Sequence, residues 1–182
     1  SGKRVITSSN LQFRYTSDSI SIYENLLCKP RAYIAYKTKF TATEETAATE
    51  LLRPDFDGSE ALFTKDNAPA DSGLLTAGRN SILFERSDNE EVSINVETDS
   101  KGIFILTDTY YPGWQCYVNG VAKPIYRVNN CMRSVFIDKG KSTLIFRFKP
   151  AIFTAGADIS LISFFLLILS IVIMRKKHFP AK

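Results

Sequence analysis

The chain has 182 residues, 45% hydrophobic and 12% aromatic, with 23 Lys and Arg against 19 Asp and Glu. That composition suits one medium domain with a core of its own and excludes wholesale disorder, and three cysteines are too few for a disulfide scaffold. The net charge of +4 belongs to the tail: Arg175, Lys176, Lys177 and Lys182 follow Met174 without an acid, and setting these four aside leaves 19 basic against 19 acidic residues. A nucleic-acid-binding basic face is therefore excluded.

The first stretches read as short extended pieces. LQFRY (11–15) and SISIY (19–23) alternate polar and apolar residues, AYIAYKTKF (32–40) is rich in β-formers, and Pro30 interrupts them. The period then changes. Thr41 with Glu44 fits a capping box, and the Ala, Glu and Leu content predicts a helix through Leu52, ended by Arg53-Pro54. EALFTK (60–65) follows as a strand, and DNAPADSG (66–73) as a polar loop.

From Ser81 the pattern is all β. SILFER (81–86) and EVSINVET (91–98) flank a hairpin loop, Ser87-Asp88-Asn89-Glu90. GIFILTDT (102–109) is almost continuously apolar and is expected to be a central strand buried on both faces. WQCYVNG (114–120) ends in Asn-Gly, a strong hairpin signal, with VAKPIYRV (121–128) as the returning strand. CMRSVFI (131–137) and STLIFRF (142–148) flank Asp138-Lys139-Gly140-Lys141, read as another hairpin turn. Strands at this spacing predict a mainly β fold, a β-sandwich or jelly roll with one short helix.

Ile159 to Met174 holds no charge, proline or glycine. A helix of this length rises about 24 Å. Extension back through Ala155, Gly156 and Ala157 brings it to bilayer thickness and leaves Asp158 near the outer interface. The Arg175-Lys176-Lys177 flank predicts a cytoplasmic C-terminus and an external residue 1–158 domain. The chain opens Ser-Gly-Lys without an apolar leader, so the export signal is expected upstream, in a longer protein. The expected organisation is an α+β N-terminal part (1–80), sandwich strands (81–150), a transmembrane helix (151–174) and a basic cytoplasmic tail (175–182).

Local signatures of catalysis are sparse. Asp108 and Asp138 show no diagnostic second carboxylate for glycosidase chemistry. The single histidine, His178, falls in the tail, so neither a zinc site nor a Ser-His-Asp triad is indicated, and no metal or cofactor is expected. Cys116 and Cys131 lie on adjacent β segments at a spacing compatible with a disulfide, though free buried thiols are the simpler account. Two groups invite ligands. Tyr110, Tyr111 and Trp114 crowd a Pro112-Gly113 turn, either as a platform for sugar rings or as a sandwich corner whose Trp plugs the core. The shared strand face of Trp114, Cys116 and Val118 favours the corner. Arg127 and Arg133, on the two arms around Val128-Asn129-Asn130-Cys131, are either an anion clamp or solvated strand ends.

Several short words in order carry a resemblance: Tyr23-Glu24-Asn25, Pro30-Arg31-Ala32, Asp108 to Trp114 (DTYYPGW), Asn119-Gly120, Ile125 to Asn129, Met132 to Val135, Gly140 and Phe148-Lys149-Pro150. From about residue 20 to the membrane helix the chain resembles the C-terminal region of YfhO-type bacterial membrane proteins. The resemblance implies a polytopic, GT-C-type glycosyltransferase: many transmembrane helices, an extracytoplasmic β domain and a last helix. It implies sugar transfer from a lipid carrier to a cell-envelope polymer, with the catalytic acid on an external loop between early helices and not in this chain. The implied partners are upstream helices of the same protein, the membrane and a lipid-linked sugar or envelope glycopolymer. Lys141-Ser142 departs from the Gly-x-His pattern expected there. The alternatives are a membrane-anchored glycan-binding or adhesion module without enzymatic activity, and a purely structural domain.

The tail charges give a direct test of orientation. In intact cells a membrane-impermeant thiol reagent should modify a cysteine introduced at Ser87. Protection at that site, with modification at position 182, would reverse the assignment.

Overall fold

The structure, a computed structural model, describes residues 11–178 apart from 18, 19, 27, 54, 57, 68 and 70–74. The start at Ser1-Gly2, the helix stop at Pro54, the far end of the polar loop at Gly73 and the tail residue Lys182 lie outside the described residues. So does the first residue of the SISIY stretch.

In chain order the elements begin with β1 (Leu11–Thr16), β2 (Ser21–Asn25), β3 (Ala32–Ala35), β4 (Lys37–Thr41), α1 (Glu44–Leu51) and β5 (Glu60–Thr64). A 3₁₀ turn, Lys65–Asn67, precedes β6 (Asn80–Ser87), β7 (Glu91–Thr98), β8 (Gly102–Thr109), β9 (Trp114–Val118) and β10 (Val121–Lys123). Then come β11 (Tyr126–Val128), β12 (Met132–Ile137), β13 (Gly140–Phe148) and α2 (Ala151–His178).

The expected sandwich forms from two antiparallel sheets, ordered β10-β9-β13-β7-β6 and β11-β12-β8-β3. Period-two alternation aims one face of each sheet at the other. Val92, Ile94 and Val96 of β7, Cys116 and Val118 of β9, and Leu144 and Phe146 of β13 meet Ile34 of β3, Phe104 and Leu106 of β8, and Val135 and Ile137 of β12. The apolar run of β8 is explained by its place. Ile103 and Ile105 point to the opposite face of the four-stranded sheet, where they pack with Ala35, Ala61, Phe63 and Val128. That second layer rests on β4 and β5, which pair in parallel around α1. Parallel pairing requires a crossover, and the eight-residue α1 supplies it.

Some local expectations are corrected. The N-cap of α1 is Thr43, whose hydroxyl accepts from the Thr46 N–H, and not Thr41. Thr41 closes β4 instead, its buried hydroxyl donating to the Phe63 carbonyl. The 32–40 stretch is two strands that serve different sheets. VAKPIYRV also breaks in two, because Pro124 cannot donate to a ladder, and the chain crosses there from one sheet to the other. Asp138 to Lys141 makes no hairpin: β12 pairs with β8 and β11, whereas β13 pairs with β7 and β9. The Asn119-Gly120 hairpin does form, with φ of 51° and 81° as a type I′ turn requires. All three cysteines are free, and only Cys116 is buried.

Residues Ala151–Met174 of α2 form a 24-residue apolar span, long enough to cross a membrane and exposed along its length.

The two-sided burial of β8 makes a stability prediction. Phe104→Ala should cost about 3–5 kcal/mol, because Phe104 is fully buried and stacks near Phe146. Leu83→Ala, on an exposed position, should stay within about 0.5 kcal/mol. Denaturant titration of the detergent-solubilised chain, followed by Trp114 emission, measures both.

Candidate functional site: an aromatic corner at the root of the membrane helix

The Tyr110–Gly113 connection carries the chain from β8 in one sheet to β9 in the other. Gly113 adopts φ of 105°, and a Cβ there would lie 3.0 Å from both Cα and Cβ of Pro150. The missing side chain therefore lets the corner sit directly on the residue that precedes α2. Hydrogen bonds fix this contact: the Lys149 N–H donates to the Gly113 carbonyl at 2.7 Å, and the Tyr110 N–H donates to the Cys131 carbonyl at 2.6 Å. The Phe148 N–H donates to the Glu90 carbonyl at 2.8 Å.

The rings form a row. Phe148 lies between Trp114, at 5.3 Å between centroids, and Tyr111, at 6.3 Å. Tyr111 is 61% exposed, whereas Tyr110 and Trp114 are partly buried. The corner reading of Trp114 thus describes its body, which packs against the sandwich core. The outer end of the row faces solvent through Tyr111. A cavity of about 220 Å³ opens beside Phe148, lined by Arg86, Glu90, Glu91, Arg147 and Lys149.

Beneath Trp114 lies a charge cluster. Arg133, on the core-facing side of β12, is only 3% exposed and places its guanidinium carbon 3.9 Å from the Trp114 ring centroid and 5.7 Å from that of Phe146. Its Nη2 donates to Asp108 at 2.9 Å. Arg31 grips the same carboxylate with two N–H groups, at 2.9 and 2.8 Å, and donates through its third nitrogen to Ser87 at 2.6 Å. Arg31 also lies over the Phe84 ring. Arg133 Nε and Nη1 are buried without a hydrogen-bond acceptor, so the π face of Trp114 supplies part of their compensation.

These contacts bias ionisation. The Arg31 hydrogen bonds hold the Asp108 carboxyl below its usual range against a desolvation penalty, with the charges of Arg31 and Arg133 acting in the same direction. Desolvation lowers the Arg133 pKa and Asp108 opposes it; a guanidinium nevertheless remains protonated. Burial pushes the Cys116 thiol up to about 12, which makes it an inert core group.

Arg127 and Arg133, read from the sequence either as an anion clamp or as solvated strand ends, pair with different acids. The two are register neighbours on β11 and β12, but their charged ends diverge. Arg127 reaches Glu44 at the start of α1, and Arg133 turns inward to Asp108 and Trp114. Neither is a solvated strand end. Arg31, singled out in the sequence only within a short word, is the second arginine of the cluster. Only its position in that word signalled it; β3–β8 pairing is what brings it to Asp108. Among the described residues no group of three or more His, Cys, Asp or Glu has metal-binding geometry.

Residues 76–160, which run from before β6 into α2, match the family model described as bacterial membrane protein YfhO. Over these residues the chain is similar to the YfhO family. The YfhO match takes in the corner, the Asp108–Arg133 pair and the start of the helix; Tyr23-Glu24-Asn25 and Pro30-Arg31-Ala32 lie before it. No curated protein and no solved structure matches the chain. The YfhO match and the exposed apolar helix together make this a membrane protein.

The cluster predicts an acid-dependent loss of stability. A carboxylate whose folded pKa is depressed stabilises fully above its unfolded value, about 3.9, and progressively less as pH falls below it. Asp108→Asn strands two guanidinium groups and should cost about 3 kcal/mol near neutrality, the low end for a broken buried pair because Arg31 is half exposed. Denaturation curves of both proteins should converge as the pH is lowered below about 3.9. A constant gap down to pH 2 would show that Asp108 is not the titrating group.

Proposed function

We propose that the chain is the extracytoplasmic accessory domain of a polytopic, GT-C-type membrane glycosyltransferase, which moves sugar from a polyprenyl-phosphate carrier to a cell-envelope polymer. In this reading the chemistry belongs to upstream helices and their external loops, against which the domain packs. The C-terminal tail is cytoplasmic, and residues 11–150 stand outside the bacterial cell membrane. No catalytic role is assigned to any described residue.

One observation carries the reading. The Tyr111–Phe148–Trp114 row is attached through Gly113 and Pro150 to the first turn of the membrane helix. A lipid-linked sugar presents its ring at the membrane surface, close to where this corner stands. The exposed Tyr111 face and the edges of Tyr110 and Trp114 offer apolar surfaces for a sugar ring. Arg133 acts from behind as a positioning residue that holds Trp114 in place. Arg127 contributes by tying α1 to the β11–β12 arm through Glu44.

Ring chemistry separates this role from simple bulk. Tyr111→Leu in the membrane-bound protein should lower transfer of labelled sugar from the polyprenyl-phosphate donor roughly three- to tenfold. That corresponds to the loss of about 0.7–1.4 kcal/mol of stacking. Tyr111→Trp should retain transfer. Equal activity of both variants, with folding intact, would remove the corner from the sugar site.

A further inference from the structure

We propose that the corner and the first turn of α2 form one membrane-interfacial face, on which Tyr111, Pro112, Ile152 and Phe153 rest in the phospholipid headgroup layer. The argument begins with length. The 24 residues Ala151–Met174 rise about 36 Å, whereas the hydrocarbon core is about 30 Å thick. The excess leaves the first turn of α2 in the headgroup region, and that turn is apolar: Ile152 is 88% exposed and Phe153 is 75% exposed. In water such side chains would be an unexplained cost. At a lipid boundary they are in place.

The corner adds to the same face. Gly113 touches Pro150, so Tyr111 stands two residues from the helix root and cannot lie far above it. Tyr111 and Pro112 are exposed, and a tyrosine with an apolar ring and a polar tip suits the headgroup layer. Lys149, also exposed, lies between the corner and the helix. It forms no ion pair among the described residues, which leaves a cation for headgroup phosphates to attract.

The β9–β10 tip lies at the far end of the same strand from this face. Its exposed Val121 is an apolar residue that should stand clear of lipid. Continuity with the membrane span commits the face to lipid, in preference to a second copy or another protein segment. Interfacial contact also fixes the tilt of the domain on the surface, because two points, the helix and Tyr111, define a line where the helix alone defines a pivot.

The test uses the full chain in phospholipid vesicles and depth-dependent quenching by lipids brominated at upper or deep acyl positions. The chain has one tryptophan, Trp114, so added probes are read as extra emission over the parent and again in a Trp114→Phe background. Tyr111→Trp should be quenched several-fold more than Val121→Trp, and more by upper-chain than by deep bromines. Phe153→Trp should behave like Tyr111→Trp. The proposal is overturned if Tyr111→Trp is quenched no more than Val121→Trp, whether protein or water covers it, or if Phe153→Trp is not quenched. Sugar transfer is not read in this experiment, so its outcome is independent of the proposed enzymatic role.

Discussion

A buried guanidinium organises the domain. Arg133 comes from the four-stranded sheet, its aromatic support from Trp114 and Phe146 of the five-stranded sheet, and its counter-charge from Asp108 on β8. Arg31, just before β3, completes the charge balance and reaches Ser87 at the end of β6. One cluster therefore joins both sheets at the end where the chain leaves for the membrane. An ion taken from water is costly unless it is paired, so each of these neighbours is constrained by the others. Trp114 cannot turn outward without stripping Arg133 of its π face, and Asp108 cannot leave without stranding two cations.

Much of the architecture is written in short-range pattern. The limits of β7 and β8 follow directly from alternation and from the unbroken apolar run, and the two-sided burial of β8 from the absence of a polar face. Partner choice is less local. The Asp138–Lys141 turn reverses the chain, but whether the next strand joins its predecessor or the opposite sheet depends on which faces remain unburied. The same limitation hides the parallel pairing of β4 with β5, since neither strand encodes its neighbour. Thr41 and Thr43 are chemically equivalent caps, and the choice between them is made by the ladder that claims Thr41.

The site follows the same division. The aromatic density of residues 110–114 and the turn chemistry of Pro112-Gly113 are visible in the chain, and the structure gives the turn its positive φ. The contact of Gly113 with Pro150 is not visible, because it joins positions far apart in sequence. The separate partners of Arg127 and Arg133 are hidden for a related reason: strand neighbours share a backbone register, but long side chains choose their partners from other elements. Arg31 enters the cluster only because β3 lies beside β8. The YfhO match runs through the corner and on past the junction between sandwich and helix.

The position of β13 has a kinetic consequence. It is the last of the described strands in chain order, yet it lies between β9 and β7 near the middle of its sheet. Until residues 140–148 emerge, β7 and β9 have no common partner, and each exposes an unpaired backbone edge. The five-stranded sheet therefore closes only once β13 has emerged, through pairings such as Arg147 with Glu91, whose long loop makes them slow to find. The residues that complete it directly precede the membrane helix. Insertion of that helix holds one end of β13 still at the bilayer, and this tether shortens the search that the strand must make.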